Sequence, residues 1–485
     1  MGKNTLIYGI GNIGARGASF FLIPLYTYYL SVNDYGILVS LLAVAQLMVV
    51  LMSLGSRHGF IRFAKEYQDR QQLGSLLTTS NALNITGGLL VTILSLLFLL
   101  PFFRSFLHIT NVLSYVVLIC ALSMFQSLTL HTLSYYRIKN EGVKFVIVNL
   151  LAMFSQLGLT YFFLNILNLG IRGALLAQII IYGILWVAIS SDIFTKIGMG
   201  ISFKTAVKLF KYGTPLIFVL SSGFITDTAA MYMLSRFTGL EDVAIYALGI
   251  KIAGIVTIAI ILPFQLAYEP FVYSNIDTPG INITISKLLT YLLFLFAFVV
   301  FGMAVFSKTI LNIIAPPEYS SAYLIILIIL PGLAFNGVKF IGESLINIKK
   351  KTYITAYIVG AFTLINFALN FWLISKYGRY GAAIVVSITA AATSIMMIIL
   401  GKKYFPIPLE KIRLVVSVAL LSGFLLLVYC MRNSSAVFYY GMFPLAIVGS
   451  LVLIYFGNLV NEKEKIAIAA LLKKMKILSP TSGSD

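Results

Sequence analysis

Fourteen long apolar runs, nearly continuous along the chain, constrain its fold more than any other feature. They cover 5–30, 36–61, 76–103, 111–136, 145–167, 173–195, 212–236, 243–272, 287–307, 322–346, 353–375, 381–400, 412–431 and 437–458. An apolar run of about 20 residues crosses the roughly 30 Å hydrocarbon core of a bilayer as a helix. Strands would need alternating polarity, which these runs lack. A soluble fold would need a polar surface. With 60% hydrophobic and 11% charged residues, against about 25% charged in ordinary soluble domains, the chain has too little to build one. It is expected to be an all-α polytopic membrane protein with fourteen transmembrane helices. The first run follows Lys3 as a signal peptide would, but it continues through Arg16 to Leu30 without a convincing cleavage site. It reads as the first span.

Loop charge supplies the orientation, because cytoplasmic loops concentrate Lys and Arg. Alternate connections divide the basic residues unevenly. One side carries 24 of the 35, from Lys3 through Arg62, Arg137, the 196–211 segment, Lys349–Lys351 and Lys402–Arg413 to the C-terminal lysines. The other side carries seven: Arg104, Arg172, Arg236, Lys308, Lys376, Arg379 and Arg432. A wrong span count would scramble this skew. Both termini are expected in the cytoplasm, and the net charge of +19 is explained by topology rather than by nucleic acid.

Short matches recur at intervals of 208 to 210 residues. Leu169-Gly-Ile-Arg-Gly-Ala corresponds to Tyr377-Gly-Arg-Tyr-Gly-Ala, Arg137-Ile-Lys-Asn to Asn347-Ile-Lys-Lys, and Asn33-Asp-Tyr-Gly to Glu241-Asp-Val-Ala. An even number of spans per repeat predicts two pseudo-symmetric six-helix lobes, related by an axis along the membrane normal with a cavity between them. The expected organisation is an N-terminal lobe (1–195), a connector (196–211), a C-terminal lobe (212–400), and two appended helices with a tail (401–485). In the connector, Lys204, Lys208 and Lys211 share one helical face and Phe203, Val207 and Phe210 another. That pattern suits a helix lying in the membrane interface.

Gly9-Ile-Gly-Asn-Ile-Gly14 matches a dinucleotide-binding fingerprint but opens a membrane span instead of following a strand. Gly11, Ala15 and Ser19 permit close helix approach. Cys120, Cys430 and the three scattered histidines suggest neither a disulfide framework nor a metal site. No catalytic constellation has usable spacing, so no enzymatic activity and no cofactor is expected.

Four basic residues remain inside spans: Arg16, Arg57, Lys251 and Lys339. A charge at mid-bilayer costs roughly 2.5–3.5 kcal/mol on insertion scales, so each should face a partner, a cavity or the headgroups. Arg16 lies about 16 Å from the cytoplasmic end of its span at 1.5 Å per residue, too deep for easy snorkelling. Arg57 is near enough to the cytoplasmic end to snorkel. Lys251 has Asp227 as a possible partner across helices, and Lys339 has Glu343 four residues on. Glu269, beside Pro270, is close enough to the cytoplasmic end to reach water. Cations at several depths suit an anionic substrate, because guanidinium binds phosphate bidentately and ammonium acts as a point charge. Arg16, Arg57, Lys251 and Lys339 are the candidate substrate-binding residues.

Lys3-Asn-Thr-Leu-Ile-Tyr-Gly-Ile-Gly-Asn, Phe21-Leu-Ile-Pro-Leu-Tyr-Thr-Tyr-Tyr-Leu-Ser-Val-Asn-Asp-Tyr-Gly and Ser53-Leu-Gly-Ser with Arg62-Phe resemble the polysaccharide-biosynthesis flippases of the O-antigen (Wzx) type. These belong to the multidrug/oligosaccharidyl-lipid/polysaccharide exporter superfamily. The resemblance implies a bacterial inner-membrane flippase that moves undecaprenyl-diphosphate-linked oligosaccharide to the outer leaflet by alternating access. It also implies other polysaccharide-assembly proteins as partners. The related lipid II flippase uses arginines of its first two helices near the diphosphate, and Arg16 and Arg57 lie in the corresponding helices here. Asp227 is the candidate for a coupling proton or Na+. The competing expectation is a cation-coupled multidrug exporter of the same superfamily, favoured by Asp227 and disfavoured by Arg16.

Overall fold

The computed structural model describes residues 20–67, 69–107, 111–139 and 141–456. Among them every regular element is helical. In chain order these are α1 (20–29), α2 (Val32–Met52), α3 (Ser56–Phe63), α4 (Arg70–Leu94), α5 (Leu100–Leu107), α6 (Val112–Ile138), α7 (Gly142–Tyr161) and α8 (Gly170–Phe194). Then follow α9 (Phe203–Phe237), α10 (Leu240–Ala253), α11 (Leu262–Ser274), α12 (Ile281–Ile314), α13 (Ala322–Asn347), α14 (Thr352–Tyr404), α15 (Lys411–Cys430) and α16 (Ala436–Phe456). Side chains such as Leu97, Phe98, Val143 and Phe154 lie more than half exposed. Such a surface is solvated by lipid tails, and the chain is a multi-pass membrane protein.

Ten of the described helical stretches are long and apolar enough to cross a bilayer, eleven if the bent Phe203–Phe237 is counted. Fourteen is the expected number, and three of the expected runs stand apart from the observed count. Most of the first run, including Arg16 and Gly9–Gly14, lies outside the described residues. The apolar stretch Tyr440–Ser450 within α16 is short. The 53 residues of α14 count once, although a straight helix of that length would run about 80 Å. Gly378 breaks it with φ 54° and ψ −135°. Asn366 donates to Thr389 Oγ1 at 2.9 Å across that break, so the two halves run side by side as a hairpin.

The second run is corrected: it is not one helix. Leu54 (φ 45°) and Gly55 (φ 68°) end α2 and start α3 in a new direction. A Cβ on Gly55 would lie 2.3 Å from the Gly213 Cα, so the turn and the close approach both require glycine. Arg57 and His58 therefore sit on a separate short helix. The run 243–272 breaks about two turns before Pro263, between Gly254 and a π-turn at Thr257–Ile261. Proline supplies no N–H and crowds the carbonyl four residues before it, so the ladder fails upstream of the ring. The connector is helical from Phe203 and continuous with the following run, bending by 42° between Ile217 and Leu220.

Local structure recurs at the interval of the sequence matches. Val32 and Leu240 begin α2 and α10, Val112 and Ala322 begin α6 and α13, and Gly170 and Gly378 share a φ of 54°. Packing of the described residues forms two compact units. The larger takes in the chain through Ile281 together with Ser307–Pro406, and the smaller Asn282–Phe306 with the chain from Ile407 onward. In the smaller unit Phe301 stacks on Phe424 at 4.2 Å, and the Ser286 hydroxyl donates to the Pro408 carbonyl. In the larger, α2 and α10 meet so closely that a Cβ on Gly36 would come within 2.1 Å of the Leu240 carbonyl oxygen. Arg379 and Asp242 form a half-buried ion pair at 2.7 Å.

Candidate functional site

The larger unit contains four cavities that share lining residues in series. The first, about 490 Å³, is built from matching helical faces. On α6, Gln126, Thr129, Leu130, Leu133, Ser134 and Arg137 recur at steps of three and one, which places them on one face. Asn149, Met153 and Gln156 do the same on α7. Arg57 enters from α3, and its Nε donates to the Ser134 hydroxyl at 3.3 Å. That hydroxyl donates onward to the Leu130 carbonyl at 3.0 Å, leaving its lone pairs for the guanidinium. Arg57 and Arg137 line this cavity with no carboxylate in its wall.

A second cavity of about 490 Å³ shares Gln46, Gln126, Gln156, Tyr182 and Phe224 with the first. Lys251 and Asp227 line its other part. The Lys251 ammonium donates to the Tyr35 hydroxyl at 3.3 Å and lies 5.4 Å from the centre of that ring. Tyr35 is fully buried and packs on Tyr26 and Tyr319. A desolvated ammonium over an aromatic face gains about 2 kcal/mol, which helps this lysine to remain inside the protein without an acid.

Asp227, Ile250 and Lys251 connect the second cavity to a third of about 450 Å³. Asp227 and Asn336 connect that one to a fourth of about 250 Å³. The fourth is lined by Lys339 and, on the α14 hairpin, by Asn366 and Thr389. Asn366 donates to Thr389 at 2.9 Å and accepts from Asn370, behind it, at 2.7 Å.

Three of the four cations named from sequence thus line a series of neighbouring cavities with shared wall residues; the fourth, Arg16, lies outside the described residues. Two expected pairings are corrected. Lys251 makes no ion pair with Asp227, because the Tyr35 hydroxyl and ring hold it instead. Lys339 and Glu343 approach no closer than 4 Å among the described ion pairs, because Lys339 turns to the fourth cavity. Snorkelling does not describe Arg57, which faces Ser134 and the first cavity. Asp227 has no hydrogen-bonding or ionic partner among the described residues, and its exposed side chain opens onto three cavities. Glu269 is exposed, as expected.

The loop-charge rule groups Arg137 with the loop anchors, and the glutamines carry no charge that would flag them. The signal was present: Gln126, Thr129, Ser134 and Arg137 form a polar stripe at helical spacing in an otherwise apolar run. Gln46 and Gln156 are isolated amides inside membrane spans.

The profile of the family described as "Polysaccharide biosynthesis protein" matches residues 1–275, more than half of the chain. The chain belongs to that family. An uncharacterized membrane protein of Methanocaldococcus jannaschii is 23% identical over 383 residues, covering 72% of this chain and 74% of the relative. Among solved structures, the lipid II flippase MurJ in an inward closed conformation superposes with a TM-score of 0.72. That match has 15% identity and covers 94% of this chain and 98% of MurJ. A Vibrio cholerae MATE transporter superposes with a TM-score of 0.58 at 15% identity, covering 83% of this chain and 95% of the transporter. This family member therefore has the fold shared by MurJ and the MATE transporters.

Proposed function

We propose that this protein is a flippase moving undecaprenyl-diphosphate-linked oligosaccharide from the cytoplasmic to the outer leaflet by alternating access. The observation that carries the proposal is the row of cations, Arg57 and Arg137, then Lys251, then Lys339, along neighbouring cavities that share wall residues and without an ion-paired acid among the described residues. Such a row suits a diphosphate travelling through the protein while its lipid tail stays in the bilayer. Membership in the polysaccharide biosynthesis family supports a glycan cargo, and the MurJ-like fold supports a lipid-linked one. In this proposal Arg16 faces the same path.

The proposal carries the finer architecture with it: fourteen spans in two six-helix lobes plus two appended helices, an interfacial connector, both termini cytoplasmic, and residence in a bacterial inner membrane. Asp227 is the proposed site of a coupling proton or Na+, since it faces the cavities unpaired. The same feature favours one competing function, a cation-coupled exporter of cationic drugs. Purified protein in vesicles separates the two. The flippase translocates a fluorescent undecaprenyl-diphosphate glycan and ignores a cationic dye, and Arg16→Ala slows it. Dye transport without glycan-lipid transport would replace the proposal with the exporter, and an Arg16→Ala protein with full activity would remove that residue from the path.

A further inference from the structure

The first two cavities are joined by amides. Gln46 (α2), Gln126 (α6) and Gln156 (α7) lie in the walls of both. Gln46 donates to the Gln126 carbonyl oxygen at 3.3 Å, and Gln126 to the Tyr182 hydroxyl at 3.5 Å. These contacts use one N–H of each donor amide. A carboxamide offers two N–H donors and a carbonyl acceptor, so Gln46 keeps an N–H and its oxygen. Gln156 makes no hydrogen bond to any described residue, and all of its valences are free for the cavity. Amides in an apolar interior are placed there at a cost unless they are bonded, so the unused donors and acceptors of Gln46 and Gln156, facing one junction, suit a polar guest. Arg57 and Arg137 line the one cavity with these amides and Lys251 lines the other.

We propose that Gln46, Gln126 and Gln156 form a subsite for a neutral, hydroxyl- or acetamido-bearing sugar attached directly to the diphosphate, with the diphosphate held by Arg57 and Arg137. The proposal rests on the flippase function. A sugar hydroxyl both donates and accepts, as a carboxamide does, so a hexose ring satisfies amides that a phosphate, an acceptor only, would leave half unpaired. A cavity of about 490 Å³ falls in the range of sites that enclose small ligands.

The test measures binding of two probes to the full chain in nanodiscs: undecaprenyl diphosphate, and the same lipid carrying one N-acetylglucosamine. The wild type should bind the sugar-bearing probe at least about tenfold more tightly, the order expected for a few new hydrogen bonds. Gln46→Leu with Gln156→Leu should erase that gain while leaving affinity for the bare diphosphate unchanged, which also shows that the variant is folded. Arg57→Ala should weaken both probes alike. Equal binding of the two probes by the wild type, or a gain that survives the double substitution, overturns the amide subsite and leaves the flippase function standing. Binding of neither probe by the wild type overturns both.

Discussion

The Arg57 cavity and the Lys339 cavity sit in the same unit and use polar residues in opposite ways. Among the described residues the wall of the Arg57 and Arg137 cavity holds no carboxylate, Arg57 bonds to one hydroxyl, and Arg137 lies over the Phe145 ring. Around Lys339 there is a carboxylate, Asp227, with the Asn366–Thr389 side-chain bond, and the threonines otherwise donate to carbonyls of their own helices. The first arrangement suits a mobile anion, since an internal acid would compete with it. The second places a carboxylate in a small, oxygen-rich pocket of about 250 Å³, which gives the same path a site where a proton or small cation can sit while the anion passes. The contrast teaches that intramembrane charge is informative only together with what neutralises it.

Three substitutions sharpen this contrast. The largest effect is expected from Arg57→Ala combined with Arg137→Ala. Charge-assisted hydrogen bonds are each worth about 1.5–3 kcal/mol, so affinity for undecaprenyl diphosphate should fall at least ~100-fold. Asp227→Asn should leave that affinity within about twofold, while transport in vesicles loses its dependence on a pH or Na+ gradient. Equal loss of diphosphate affinity in the two variants would erase the distinction between the cavities. Ser134→Ala should cost the least transport of the three, with only a two- to fivefold loss of diphosphate affinity. It removes a hydrogen bond of about 1 kcal/mol that orients Arg57, and Ser134→Thr should restore the affinity.

Much of this was legible in the chain. The apolar runs predict helices in the right places because a bilayer leaves the backbone no alternative, and the 208-residue interval reappears in helix starts and in the paired glycines 170 and 378. The breaks were less legible. Leu54–Gly55 ends α2 because glycine meets glycine at residue 213, a tertiary contact that hydropathy does not register. Isolated charges drew attention to Arg57, Lys251 and Lys339. Their partners were misjudged because sequence spacing favours acids, and the protein uses Tyr35 and Ser134 instead. Arg137 was hidden by its position at a helix end, where the loop-charge rule already accounted for it.

The most direct measurement of the central claim is leaflet-to-leaflet transfer of purified undecaprenyl-diphosphate oligosaccharide in vesicles containing the protein, with and without Arg57→Ala plus Arg137→Ala. Transfer by the wild type and its loss in the folded double variant is the predicted result. Transfer at the wild-type rate by the double variant would contradict the claim that these cations carry the diphosphate.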